Sequence, residues 1–372
     1  MKMKKIILAA LAIIISLNSF SKGRLRDYGI TPGIFQPGKY NAITDVPGVK
    51  VGHVTIIEGD DIRTGVTAII PHEGNIFKKK CPAAVYVSNG FGKMAGSTQI
   101  QELGNIETPI ILTNTLSVAA GINGLITYTL NQKGNRKIKS VNAVVGETND
   151  GELNDIRKRV VTEKHVLEAL EKAQSGPVEE GNVGAGTGTL AFDYKGGIGT
   201  SSRVLPAELG GYTVGVLVQT NYNGILEIDG IQAGKKLKYY RWSNIIERKA
   251  EEEKNSPDGS CMMVLFTDAP VDARNLERIA KRAAAAVVKT GGCISNGSGE
   301  YVIAVSVNKD NLIDEKNQFY LPTLIQNNAV TPLFEAAVEA TSEAIWNAMF
   351  AAETMTGCGV TYEALPIDKI FK

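Results

Sequence analysis

The sequence predicts an α/β layered fold around a buried sheet, and three observations carry that reading. Short apolar strand candidates alternate with Gly-rich turns. Helical segments are interspersed among them rather than gathered at one end, the order expected of layered α/β proteins. The chain is also large and apolar enough for a sizeable core: 372 residues, 43% hydrophobic and 21% charged.

The first 21 residues stand apart. Lys2, Lys4 and Lys5 make a basic start, residues 6–17 are an almost continuous apolar run, and Ser19 and Ser21 bring small residues at alternate positions. This is the pattern of a secretory signal, too short to span a membrane as a helix. No cysteine stands near the cut, so a lipid anchor is not expected. The mature chain is therefore expected to begin near Lys22 as a single domain over 22–372, periplasmic or secreted.

Strands are predicted at 49–56, 83–87, 109–112, 142–145, 213–218, 262–266 and 301–307. Helices are predicted at 155–173, at 275–288 (Leu276, Ile279, Ala283 and Val287 on one face) and at 331–351. Pro332 suits a first helical turn. Residues 247–259, charged and then turn-forming, read as a solvated insertion. No internal repeat is evident.

Composition narrows the function. A formal net charge of +1 without a basic stripe argues against a nucleic-acid partner. The three histidines (His53, His72, His165) are scattered, and none lies near another candidate ligand at a metal-type spacing, so a metal is not expected, nor is another cofactor. Cys81, Cys261, Cys293 and Cys358 fit no zinc or redox spacing; mostly buried free thiols are expected, with room for one disulfide.

The chemistry concentrates at Asn296-Gly297-Ser298-Gly299. By local pattern this is a turn. An apolar strand begins directly after it, however, so a cut between Gly297 and Ser298 would leave Ser298 at a strand start beside its own free amine. A serine hydroxyl needs a base. An α-amine, with an ordinary pKa of about 7.7–8.0, can be that base without any histidine. Gly297 permits the strained backbone that an N-to-O acyl shift requires.

Several segments together resemble the DmpA-type family of L-aminopeptidase/D-esterase/amidase enzymes and β-peptidyl aminopeptidases, over about residues 24–370. They are NAITDVPGVKVGH at 41–53, LTNTLSV at 112–118, GETNDGELNDI at 146–156, GNVGAGTG at 181–188, KGGIGTSSR at 195–203, VQTN at 218–221 and NGSGE at 296–300, in family order. The resemblance implies an αββα sandwich like that of N-terminal nucleophile hydrolases with different connectivity. It also implies self-cleavage into a large piece (22–297) and a small piece (298–372), and a homotetramer of such pairs. It assigns Ser298 as nucleophile, Asn221 as an oxyanion donor and Glu147 as receiver of the substrate's amino group. Asn114 and Ser117 are weaker candidates for the site wall. The glycine loop at 184–188 lacks the ending of a phosphate-binding loop and reads as structural or pocket-lining.

Two departures stand out. Where family members often carry Ser/Ala-Thr-Glu-Glu in a helix after Phe334, this chain has Ala340-Thr341-Ser342-Glu343. Only Glu343 remains, about 100° around the helix, with Glu339 as a second candidate supporting acid. Glu300 stands where Asp is frequent. The expected function is a self-processing serine aminopeptidase acting on small peptides, amides or esters through an acyl-enzyme on Ser298. An ornithine acetyltransferase-like acyltransferase and a non-catalytic exported binding protein are the competing readings. The former typically uses a Thr nucleophile, which Ser298 opposes.

Overall fold

A computed structural model describes residues 23–247 and 259–371. The expected signal and most of the 247–259 insertion lie outside the described residues. In chain order the main elements are β1 (Lys50–Glu58), β2 (Ile62–Ile70), β3 (Lys79–Gly90), α1 (Ser97–Leu103), β4 (Ile110–Asn114), α2 (Val118–Asn131), β5 (Val144–Thr148) and α3 (Glu163–Glu171). They continue with β6 (Ile198–Val204), β7 (Thr213–Asn221), β8 (Ser260–Thr267), α4 (Ala273–Lys289), β9 (Gly299–Ser306) and α5 (Thr331–Phe350).

Two sheets pack face to face. The smaller runs β1-β2-β4-β5, with only the β4–β5 pair parallel. The larger runs from the short edge segment Ile313–Asp314 through β3, β9, β8 and β7 to β6, with only β8 and β9 parallel. Three cores bind four layers. Ile111 and Val145 of the small sheet pack against Leu125 of α2 and Val166 of α3. Ile69, Leu112 and Val144 meet Leu217, Met262 and Ile303 between the sheets. Val216, Met263 and Val302 meet Leu276 and Ile279 of α4 and Ala344 and Ile345 of α5. The result is the αββα order.

The period-2 geometry of a strand explains why the central strands are apolar throughout. In β8, Cys261, Met263 and Leu265 face the helices while Met262, Val264 and Phe266 face the other sheet. Both faces are covered, at about 1.5–3 kcal/mol per large side chain. Asp272 caps α4 by accepting the Asn275 N–H at 2.9 Å. Trp346 of α5 is fully buried and donates its indole N–H to the Glu227 carbonyl at 2.8 Å.

The predicted helix over 155–173 forms only in its second half. A single 3-10 turn, Ile156–Lys158, ends at Arg159 in the left-handed region (φ 50°), and α3 restarts after Thr162. All four cysteines are free. Cys81 and Cys261 are buried, but Cys293 and Cys358 are exposed, so half rather than most are interior.

Candidate active site

Parallel pairing of β8 and β9 sets Ser298 one residue outside the sheet, with Ser260 opposite Gly299. The Gly299 N–H donates to the Gly259 carbonyl at 3.1 Å. The Ser298 N–H donates to the Ser295 carbonyl at 3.0 Å, closing a tight turn over Asn296 and Gly297. Asn89 near the end of β3 clamps this turn: its amide donates to Ser295 O at 2.9 Å and to Ser298 O at 2.5 Å. Upstream, Ile294 has φ 52°, a left-handed conformation that costs a β-branched residue about 1–3 kcal/mol.

Ser298 is 1% exposed, and its hydroxyl donates to Glu300 Oε1. The other Glu300 oxygen is buried without a partner among the described residues. Burial, opposed in part by the Ser298 hydrogen bond, pushes the Glu300 carboxyl up to about 7. Sequence reasoning had noted Glu300 only as a variant of Asp. It missed Asn89 altogether, since one Asn at a strand end carries no local signal.

Glu147 lies at the end of β5 in the opposite sheet and is 3% exposed. One carboxylate oxygen accepts the Lys93 N–H at 2.9 Å and the other accepts from the Thr115 hydroxyl. The segment over it is tightly fitted. A Cβ at Gly92 would stand 3.1 Å from Glu147 Oε1 and 3.2 Å from the Tyr301 ring. Burial raises the Tyr301 phenol, and the charges of Glu147 and Glu300 raise it further. Tyr301 thus connects the two acids electrostatically across the sandwich.

Asn221 closes β7. It pairs with Ser260, which pairs with Gly299, so Asn221 stands level with Gly299 two strands away, roughly 10 Å by strand spacing. Its Oδ1 accepts the Leu190 N–H at 3.0 Å. That bond fixes the amide orientation and leaves Nδ2 as a donor with no partner among the described residues.

The remaining candidates divide. Asn114 donates to Thr64 at 2.8 Å and accepts from the Leu116 N–H. Ser117 is buried just before α2 with its hydroxyl unpartnered. Thr115 between them is the residue that reaches Glu147. The 184–188 loop packs on the first hairpin: the Gly184 N–H donates to Thr55 and the Ala185 N–H to Thr67.

The two expected supporting acids point elsewhere. Glu343 accepts from Arg26 at 2.7 Å and pairs with Arg203 at 2.8 Å; Glu339 pairs with Arg203 at 2.8 Å and accepts the Ile34 N–H at 2.7 Å. None of their hydrogen bonds reaches Ser298. Ser342 donates to the Val338 carbonyl one turn back at 2.8 Å. His53 is buried, pushed down to about 4 by burial, and bonded to Thr67. Among the described residues, no group of three or more His, Cys, Asp or Glu side chains could hold a metal ion.

The chain is similar to known proteins over nearly its whole length. The model of peptidase family S58 matches residues 41–362. The chain is 39% identical over 358 residues to a β-peptidyl aminopeptidase of Sphingosinicella microcystinivorans, covering 92% of this chain and 89% of that protein. The solved structure of a Burkholderia sp. β-aminopeptidase superposes with TM-score 0.85 at 38% identity, covering 94% of this chain and 97% of that one. The L-aminopeptidase D-Ala-esterase/amidase of Ochrobactrum anthropi, described as a variant of the N-terminal nucleophile hydrolase fold, gives 0.83 at 34% identity, covering 93% and 96%.

Proposed function

Because the chain belongs to peptidase family S58 and is a serine aminopeptidase of the N-terminal nucleophile kind, we propose that it cuts itself between Gly297 and Ser298 and then uses Ser298 on substrates with a free amino terminus. The observation that carries the reading is a buried serine one residue before a central strand, at the end of a tight turn with Ile294 in the left-handed region upstream. The freed α-amine takes the hydroxyl proton. Ser298 Oγ attacks the substrate carbonyl, Asn221 Nδ2 donates to the developing oxyanion, and water releases the acyl group. Removing one such donor typically costs about 2.7–4 kcal/mol.

Glu147 receives the substrate ammonium. This buried carboxylate favours a free amine over a blocked one, since a neutral partner forgoes the charge–charge attraction and leaves the exposed Lys93 ammonium, 3.9 Å away, as its cation. The substrates are small peptides, aminoacyl amides or esters. Signal-directed export is supported by the basic and apolar pattern of residues 1–21. Assembly of the cut pairs into tetramers is supported by the exposed apolar side chains of Phe319 and Leu321 (75% and 88% exposed). The acyltransferase and non-catalytic readings are not favoured, since the named relatives are aminopeptidases.

A denaturing gel with mass spectrometry tests the cut. Wild type should give fragments ending at Gly297 and beginning at Ser298, and Ser298→Ala should stay whole. A single full-length wild-type band rejects self-cleavage. A panel of aminoacyl p-nitroanilides, including β-homoamino acids, tests the substrate class. Equal turnover of N-acetylated versions rejects the role of Glu147.

A further inference from the structure

We propose that Glu300 is the acid–base group of the self-cleavage step, taking the Ser298 hydroxyl proton and returning it to the departing amide nitrogen. The proposal rests on the self-cleavage reading above and supplies what that reading lacks. The α-amine that serves later turnover does not exist in the uncut chain. There the Ser298 nitrogen is an amide whose N–H donates to Ser295 O. The first cut therefore needs a different base.

Other candidates do not bond to Ser298. Ser298 is 1% exposed, so bulk water is excluded from its hydroxyl. None of the histidines bonds to Ser298: His53 binds Thr67 through Nδ1 while its Nε2 has no partner among the described residues, His72 binds two backbone carbonyls and His165 binds Thr162. Glu147 is held by Lys93 N and Thr115, and Glu339 and Glu343 by arginines. Glu300 is the group that accepts from Ser298 Oγ, and its second oxygen is bonded to nothing among the described residues. The titratable groups facing it are Tyr222 at the end of β7, Cys261 on β8 and Tyr301 on β9. Burial raises all three, which keeps them neutral at pH 7. Asn89, its register partner on β3, does not titrate. No cation pairs with Glu300 among the described residues. A carboxyl pushed up to about 7 is populated in both forms near neutral pH, as an acceptor that must also donate requires.

The step balances. As Ser298 Oγ bonds to the Gly297 carbonyl carbon, its proton moves to Glu300 Oε1. The tetrahedral centre collapses, the Gly297–Ser298 C–N bond breaks, and Glu300 returns the proton to that nitrogen. This leaves an ester and a free α-amine. Water then cleaves the ester, giving the Gly297 carboxylate and restoring the Ser298 hydroxyl.

Glu300→Gln separates chemistry from shape, because its amide oxygen still accepts from Ser298 but cannot take the proton. The chain is made by cell-free synthesis and its cutting followed over time. E300Q should cut about 10²–10⁴-fold more slowly than wild type, with Glu300→Asp between the two. Wild-type cutting should quicken about tenfold per pH unit below the Glu300 pKa and level off above it. This profile needs no variant to fold. E300Q cutting at the wild-type rate, or a wild-type rate flat from pH 5 to 8, overturns the proposal. A wild type that never cuts instead overturns the self-cleavage reading itself.

Discussion

Two groups of buried carboxylates lie in this molecule under opposite conditions. Glu339 and Glu343 on α5 sit against Arg203, itself 0% exposed, with Arg26 and Asn41 completing the shell of Glu343. Burial alone would raise the Glu343 carboxyl, but Arg26, Arg203 and Asn41 outweigh it and hold it below the usual range. Glu300 is equally hidden, has a serine hydroxyl for company, and is pushed up instead. The first group is fully compensated and serves architecture, joining the N-terminal segment to α5. The second is left uncompensated beside the Ser298 hydroxyl, the condition under which a carboxyl can exchange protons near pH 7.

The sharpest way to break the contrast is to remove the arginine. Arg203→Ala strands Glu339 and Glu343 without their shared cation, and loss of one partner from such a set costs about 3–5 kcal/mol. We expect a large drop in urea midpoint or loss of soluble protein. A variant as stable as wild type would mean that the group is not structural.

Glu343→Gln should have a smaller and pH-dependent effect. A buried charge-assisted hydrogen bond contributes about 1.5–3 kcal/mol. Since the folded pKa lies below the unfolded value near 4.3, the contribution is present above that value. It is lost as pH falls through the folded pKa. The urea midpoints of wild type and E343Q should therefore differ at pH 7 and converge at pH 3.

These acids also show how far the sequence could be read. The layered fold was legible because period-2 apolar strands and the amphipathic α4 carry their burial in local pattern. Strand β2 was hidden by Arg63, Thr64 and Gly65. Helix α2 was hidden by Gly121 and Gly124, which look like turn residues but let the helix close on Val145 and Val166: a Cβ on either would meet those side chains at 2.7 and 2.5 Å. Ser298 was legible because a motif and a strand start coincide there. The partners of Glu343 were not, since Arg26 and Arg203 are 317 and 140 residues away in the chain and only the packing of α5 on β6 and on the turn Leu25–Tyr28 brings them together. Glu300, two residues from the nucleophile, was in plain view, but its protonation is set by burial, which a sequence does not print.

The remaining expected effect is the one of opposite sign. In a Ser298→Ala background, where no chain is cut, adding Glu300→Gln should stabilise the protein at pH 8 and leave it nearly unchanged at pH 4. The folded pKa of Glu300 is raised above the unfolded one, so folding favours the protonated form. The carboxyl then weakens the fold progressively as pH climbs from about 4.3 toward 7. Gln removes that burden. Differential scanning calorimetry of the two uncut chains at both pH values checks it. A melting temperature lowered by E300Q at pH 8 would show that Glu300 is compensated after all, and the distinction between the two carboxylate groups would collapse. A rise at pH 8 that fades at pH 4, set beside the opposite behaviour of E343Q, would assign one buried acid to chemistry and the other to architecture by sign alone.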